Sequence, residues 1–320
     1  MQKFTLPLAT FATLLLSGTA FAAPSVVAST KPIHALVSSV MGDVGTPALI
    51  VKGAASPHTY SLRPSDAAAL ESADIVFWTG HGMELFLADA LDSLATGAEI
   101  VELAEAPGIE LLDIREGGAF ETHSHGDGQD HDHDHEGHGH DDHDHDHGHD
   151  EGDMHFWLDP ENAKLMVTQI ATVLAEADPE NASAYQLNAE AELVRLDELT
   201  EELRDTLAPL EARPFIVFHD AYQYFEARFG LEVAGTVTVS PEVMPGAARI
   251  DELRAKVKEL GATCVFAEPN FEPAIVRTIV EGTEAKAGVL DPEGSALTEG
   301  PDLYPELLRS LANGLLECLG

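Results

Sequence analysis

Short apolar runs alternate with amphipathic stretches along most of the chain. Residues 26–29, 48–51, 74–78 and 99–103 are brief and largely apolar, which predicts strands. Between them, 32–41 reads as a helix starting near Thr30 or Lys31, and 66–71 as a helix capped by Ser65. The same grammar returns later, with strands over 215–218, 233–239, 263–267 and 287–290. Helices are predicted over 161–175, 221–229, 250–260, 272–282 and 305–319, with Gly261 ending the third of these at its C′ position. Such repetition of strand, helix and strand predicts βαβ units and largely parallel sheets.

A longer amphipathic stretch separates the two series. Residues 179–207 carry Leu187, Leu193, Leu196, Leu199 and Leu203 on one stripe and charge elsewhere, and Pro209 breaks the pattern. A helix of about 28 residues spans about 42 Å, which suits a strut between two lobes better than an interior crossover. No partner helix of similar length is evident, so an antiparallel helical pair is not expected. The predicted fold is α/β, with two lobes of mostly parallel sheet joined by one long helix. The N-terminal lobe covers 23–178, the linking helix 179–210 and the C-terminal lobe 211–320. No sequence repeat relates the lobes.

Two segments depart from this grammar. Residues 1–22 combine Lys3, a short apolar stretch over 6–16 and the small-x-small sequence Ala20-Phe21-Ala22, the signature of a cleavable signal peptide. The apolar stretch is shorter than the ~20 residues that a membrane span requires. No cysteine stands at the cleavage site for a lipid anchor, so the mature chain is expected to be soluble and exported, starting near Ala23. Residues 121–153 are almost wholly His, Asp, Glu and Gly, and include 11 of the chain's 16 histidines. A segment without aliphatic or aromatic residues cannot offset its ordering entropy, which predicts a mobile loop over 121–153 that binds several divalent ions weakly.

Charge narrows the partners. The 320 residues include 56 acidic and 17 basic side chains, a formal balance of −39. Nucleic acids and anionic lipid surfaces would repel such a chain, whereas cations would be attracted. In an oxidising compartment the only two cysteines, Cys264 and Cys318, are expected to pair. Closing a loop of 54 residues is worth on the order of 4 kcal/mol in the chain-entropy treatment.

Of the five histidines outside the acidic run, His58, His155 and His219 fall where strand signals meet loops. Ligands of open α/β sheets gather beyond the carboxyl ends of strands. Asp291 directly follows the predicted strand 287–290 and joins the candidates. Three imidazoles and one oxygen suit zinc. Position alone leaves open that these are ordinary capping or buried histidines. His34 falls on a helix face beside apolar residues and reads as structural, while His81 follows a strand and is a candidate for the cleft entrance.

The wording around these residues is distinctive. Pro57-His58-Thr59-Tyr60-Ser61-Leu62-Arg63-Pro64-Ser65-Asp66, Met154-His155-Phe156-Trp157-Leu158-Asp159-Pro160, Val217-Phe218-His219-Asp220-Ala221-Tyr222 and Phe266-Ala267-Glu268-Pro269 occur in that order. Together they resemble the periplasmic zinc-binding components of bacterial zinc-uptake ABC transporters, the ZnuA family, over essentially the whole mature chain. The resemblance implies two α/β lobes joined by a rigid helix, with metal in the cleft between them. It implies His58 and His155 as ligands from the first lobe and His219 from the second. Relatives that take manganese or iron carry a carboxylate where this chain has His219. Some zinc members have a Glu before the first ligand, where this chain has Pro57, so water, Asp291 or a histidine of the acidic run is left to complete the site. Asp291 corresponds to a carboxylate that ligates metal in the manganese relatives.

The implied function is capture of Zn²⁺ and its delivery to an inner-membrane ABC permease with its ATPase. Zinc would be cargo rather than a catalytic cofactor, and the protein a monomer. A periplasmic zinc chaperone is a further candidate partner. A zinc hydrolase with an open His₃ site is the contrasting class, but it would need an HExxH-like helix or a free general base. Glu268 is the one spare candidate for that base. A manganese- or iron-type binding protein is the other alternative.

Overall fold

The structure, a computed structural model, describes residues 23–115, 152–211, 213–238, 241, 245–261, 264–271 and 273–320. The predicted signal peptide and nearly all of the predicted acidic loop therefore lie outside the described residues.

The first lobe runs β1 (Val26–Ala28), α1 (Lys31–Met41), β2 (Ala48–Leu49), α2 (Pro64–Glu71), β3 (Ile75–Trp78), α3 (Leu85–Leu94) and β4 (Glu99–Glu102). All its strand pairs are parallel, in the order β2-β1-β3-β4. The central strands β1 and β3 are buried throughout, as expected of parallel strands covered on both faces. Two details differ from the sequence reading. Helix α3 was not expected. Helix α2 is opened by Arg63 rather than Ser65, because Asp66 reaches back to the Arg63 amide at 2.9 Å and Pro64 sets the first turn.

Two long helices follow, α4 (Pro160–Ala177) and α5 (Ala182–Leu207). Asp159 caps α4 by accepting from the Glu161 amide at 2.9 Å. The second lobe continues with β5 (Phe215–Val217), α6 (Gln223–Phe229), β6 (Val233–Thr236), α7 (Ala247–Leu260), β7 (Cys264–Ala267), α8 (Pro273–Val280), β8 (Lys286–Val289) and α9 (Leu303–Leu319). Its sheet is again parallel, in the order β6-β5-β7-β8. Gly261 ends α7 with φ of 61°, in the left-handed conformation that glycine adopts without steric cost. Cys264 on β7 and Cys318 on α9 form a disulfide, with 6.0 Å between their Cα atoms.

The long helix is not an isolated strut. A short turn over 178–181 sends α5 back along α4, so the two form the antiparallel pair that the sequence argued against. Leu196, Leu199 and Leu203 are buried as expected, but Leu187 is 65% exposed because it lies on the outward face of the helix, whose inward face there is formed by buried Tyr185 and Ala189.

One continuous core joins both lobes. It combines β1 and β3 with β5 and β7 through α1, α4, α5 and α9, around Trp157, Tyr185, Phe215 and Tyr304. Each sheet also packs its outer face into a core of its own, under α2 and α3 in the first lobe and α7 and α8 in the second. Polar ties reinforce the junction. Lys31 of α1 donates to the carbonyls of Gly294, Ser295 and Leu297 at 3.2, 2.8 and 3.0 Å. Trp157 donates to the Pro292 carbonyl at 3.0 Å, and Tyr304 to the Trp157 carbonyl at 2.7 Å.

Candidate metal centre

Three chain segments bring His58, His155 and His219 together. His58 stands in the loop after β2, its amide donating to Ser56 Oγ at 3.3 Å. His155 precedes a short 3₁₀ turn, Phe156–Leu158, whose side chains are buried in the shared core. His219 follows β5 by two residues, at the end of a fully buried strand. One ligand atom from each of the three lies within 4.8 Å of the others. The Nε2 atoms of His155 and His219 are 3.2 Å apart. Two nitrogens on a tetrahedral zinc, each about 2.0–2.1 Å from it, would stand about 3.3 Å apart.

Carboxylates hold two of the rings. Asp153 Oδ1 lies 2.8 Å from His155 Nδ1 and also accepts from the His155 amide at 3.0 Å. Glu268 Oε1 lies 2.8 Å from His219 Nδ1. A carboxylate only accepts, so each Nδ1 carries the proton and each Nε2 keeps its lone pair for the cleft. Tyr222 steadies Glu268 with a hydroxyl 3.4 Å from the same oxygen.

The electrostatics divide the three imidazoles. Burial, followed by the neighbouring His155 and His219, lowers the His58 pKa to about 2, so this ring stays neutral. Burial pushes His219 in the same direction, but Glu268, Asp153 and Asp220 outweigh it and raise its pKa. A metal arriving at His219 therefore competes with a proton.

The cleft beside the rings has a volume of about 280 Å³ and is bordered by Met83, Ile114, Arg115, Met154, Gln223 and Pro241 among others. Its rim ties the lobes together. Arg115 donates to both carboxylate oxygens of Asp220 and both of Glu226. Tyr224 accepts from the Leu112 amide at 2.8 Å and donates to the Asp153 carbonyl at 2.7 Å.

The other candidates lie elsewhere. Asp291 is not in the imidazole group. Its oxygens accept from the Glu293 amide at 3.2 Å and from the Ser295 amide and hydroxyl at 2.7 Å each, so they brace the turn that follows β8. His34 is buried, with Nε2 3.1 Å from the Pro47 carbonyl, and burial lowers its pKa. His81 faces solvent, paired with Glu102 at 3.0 Å and packed on Trp78, while Gly82 and Met83 of the same turn border the cleft. Sequence reasoning missed Asp153, which it assigned to the mobile loop, and gave Glu268 no part in the metal site. The spacing of Asp153 two residues before His155 was a usable signal for the first. Glu268 is also not free to act as a hydrolytic base, because its oxygen already serves His219 and Tyr222.

Two parallel α/β lobes on a shared helical spine, with an imidazole cluster between them, define a metal-binding protein of the two-lobed solute-binding class. Comparison with known proteins makes this particular. The profile of the family described as ZnuA, "Zinc-uptake complex component A periplasmic", matches residues 26–318. The high-affinity zinc uptake system protein ZnuA of Brucella abortus is 56% identical over 92% of this chain and 91% of its own length. A crystal structure of ZnuA aligns with a TM-score of 0.71 and 26% identity, covering 91% of this chain and 99% of that one. A zinc-bound deletion mutant of ZnuA aligns at 0.69 and 26% identity over 92% and 98% of the two chains. The chain belongs to the ZnuA family of periplasmic zinc-uptake components. Members of this family are transport components rather than enzymes. Among the described residues no helix is long and apolar enough to cross a membrane.

Proposed function

We propose that this protein binds one Zn²⁺ tightly through His58 and the Nε2 atoms of His155 and His219 and delivers it to an ABC permease. The observation that carries this reading is the convergence of three buried or half-buried imidazoles, two with Nδ1 held by a carboxylate. Neutral imidazole selects zinc over the harder ions that oxygen donors favour. Residues 1–22 read as the signal that exports the chain, and it works as a monomer. The acidic His-rich segment collects further zinc weakly, from which the fixed site or a periplasmic zinc chaperone can draw.

Zinc titration of the metal-stripped protein against a chromophoric chelator tests the site. His219→Ala should lose far more affinity than the 10- to 100-fold typical of losing an outer partner, while His34→Ala should bind as the wild type does. Equal losses in the two variants would show the site to be misassigned. In cells lacking the wild-type gene, the His219→Ala form should fail to restore growth under zinc chelation.

A further inference from the structure

A second, small cavity of about 10 Å³ is bordered by Ser56, His58, His155, His219, Glu268 and Glu293 among others. That is room for roughly one water molecule. Glu293 stands apart from the other acids there. It is only 8% exposed, yet its carboxylate accepts no hydrogen bond among the described residues. The two nearby acids are already engaged, Glu268 by His219 and Tyr222, and Asp291 by the turn that follows it.

The chain fixes Glu293 from both sides. Trp157 holds the carbonyl of Pro292, Asp291 holds the Glu293 and Ser295 amides, and Lys31 holds three carbonyls just beyond. Gly294 turns the backbone with φ of 64°, where a β-carbon would be strained. Burial, and then the charges of Asp291, Glu84 and Glu268, raise the Glu293 pKa well above the usual carboxylate range, and the braced turn keeps the group at the cavity. The cost of ionising it is offset once a ligand brings the missing donor. Glu293 also lies outside the group whose ligand atoms are mutually within 4.8 Å, which a direct metal ligand would join.

We propose that Glu293 accepts a hydrogen bond from a water molecule that fills the fourth coordination position of zinc. Asp153 and Glu268 already stand behind two of the imidazoles, and Glu293, whose ionised form an arriving cation favours, adds an acceptor one bond beyond the fourth position. It thus serves as a positioning residue, and Asp291 holds the turn that presents it. The inference rests on reading the three histidines as the zinc site.

The test uses the full mature chain, stripped of metal, with Zn²⁺ for affinity and Co²⁺ as the spectroscopic probe. Glu293→Gln should weaken zinc binding by roughly 10- to 100-fold while retaining three nitrogen ligands by X-ray absorption. The metal-free variant should melt no lower than the wild type, since the change removes an unpaired buried acid. In the Co²⁺ protein, the visible-band transition reporting ionisation of bound water should fall at lower pH in Glu293→Gln, because an anionic acceptor holds the proton on the water. Unchanged affinity with an unmoved transition, or no transition in the wild type, would overturn the role of Glu293. Wild-type affinity in His219→Ala would instead overturn the site itself, separately from this inference.

Discussion

The two lobes share a sheet order, and each has its topological switch point between the first strand and the third, at β1 and β3 or at β5 and β7. What stands at that point differs. In the first lobe Glu84 fills it, accepting from Ser29 Oγ at 2.5 Å, Thr79 Oγ1 at 2.8 Å and the Gly80 amide at 3.0 Å. Burial raises the Glu84 pKa although these hydrogen bonds oppose the shift. In the second lobe the corresponding strand ends carry His219 and Glu268, with the Nε2 of the histidine turned to the cleft. One switch point is sealed with its own polar network, and the other is left to a ligand. The sealed lobe instead contributes His58 from a loop, and His155 comes from the 3₁₀ turn ahead of α4. Similar topology therefore does not imply similar chemistry, because the strand ends decide it.

The largest expected effect would test whether the lobes are separate at all. Trp157→Ala empties part of the shared core and should cost about 3–5 kcal/mol, with both lobes unfolding in one denaturant transition. Two transitions followed by probes in the two lobes would break the picture of a common core. Replacing Cys264 and Cys318 by Ser should cost about 2–4 kcal/mol, and the reduced wild type should match the variant by calorimetry. Zinc affinity should remain within a few-fold of wild type, because the bridge lies on β7 and α9 and not at the imidazoles.

Glu268→Gln and Glu84→Gln sharpen the comparison between the switch points. The first should weaken zinc by roughly 10- to 100-fold, as expected when the partner of a ligand histidine is removed. It should also move the pH profile. Wild-type affinity falls as acidification protonates His219, whose pKa Glu268 helps to raise. Without Glu268 that fall should occur at lower pH in a chelator titration. Glu84→Gln should leave zinc affinity nearly unchanged. A carboxyl group whose folded pKa is raised contributes stability that is present below its unfolded pKa and lost as pH rises through the folded value. The wild type should accordingly lose ground to Glu84→Gln as pH rises, measured by chemical unfolding. A zinc defect in this variant would mean that the first switch point also serves the metal.

Much of this was legible in the sequence, for identifiable reasons. The run Ile75-Val76-Phe77-Trp78 reads as a strand because a parallel strand covered on both faces is apolar throughout. The histidines stand at loops that the βαβ pattern already places. Helix α3 was hidden because Leu85 opens it 73% exposed and its neighbour Glu84, the natural acid for that end, is drawn away to Ser29 and Thr79. Asp153 was obscured in the sequence by the acids before it, although it turns inward to His155. Asp291 follows its strand as read, but no pattern of residues reveals that one of its oxygens accepts from Ser295 and the other from the Glu293 amide. Which of two nearby acids faces a site depends on a turn, and turns are set by tertiary contacts such as those of Lys31.

The common core has a consequence for the lifetime of the protein. Ligands drawn from both sides of one cooperative unit make zinc a stabiliser of the whole chain. Zinc at 100 times its dissociation constant would add about 2.7 kcal/mol to stability. Proteolysis that proceeds through global unfolding would then slow by about 100-fold when the carrier is loaded. Pulse-chase measurement in zinc-rich and zinc-poor medium would show this as a difference in half-life, so the amount of carrier in the cell would itself record the metal supply.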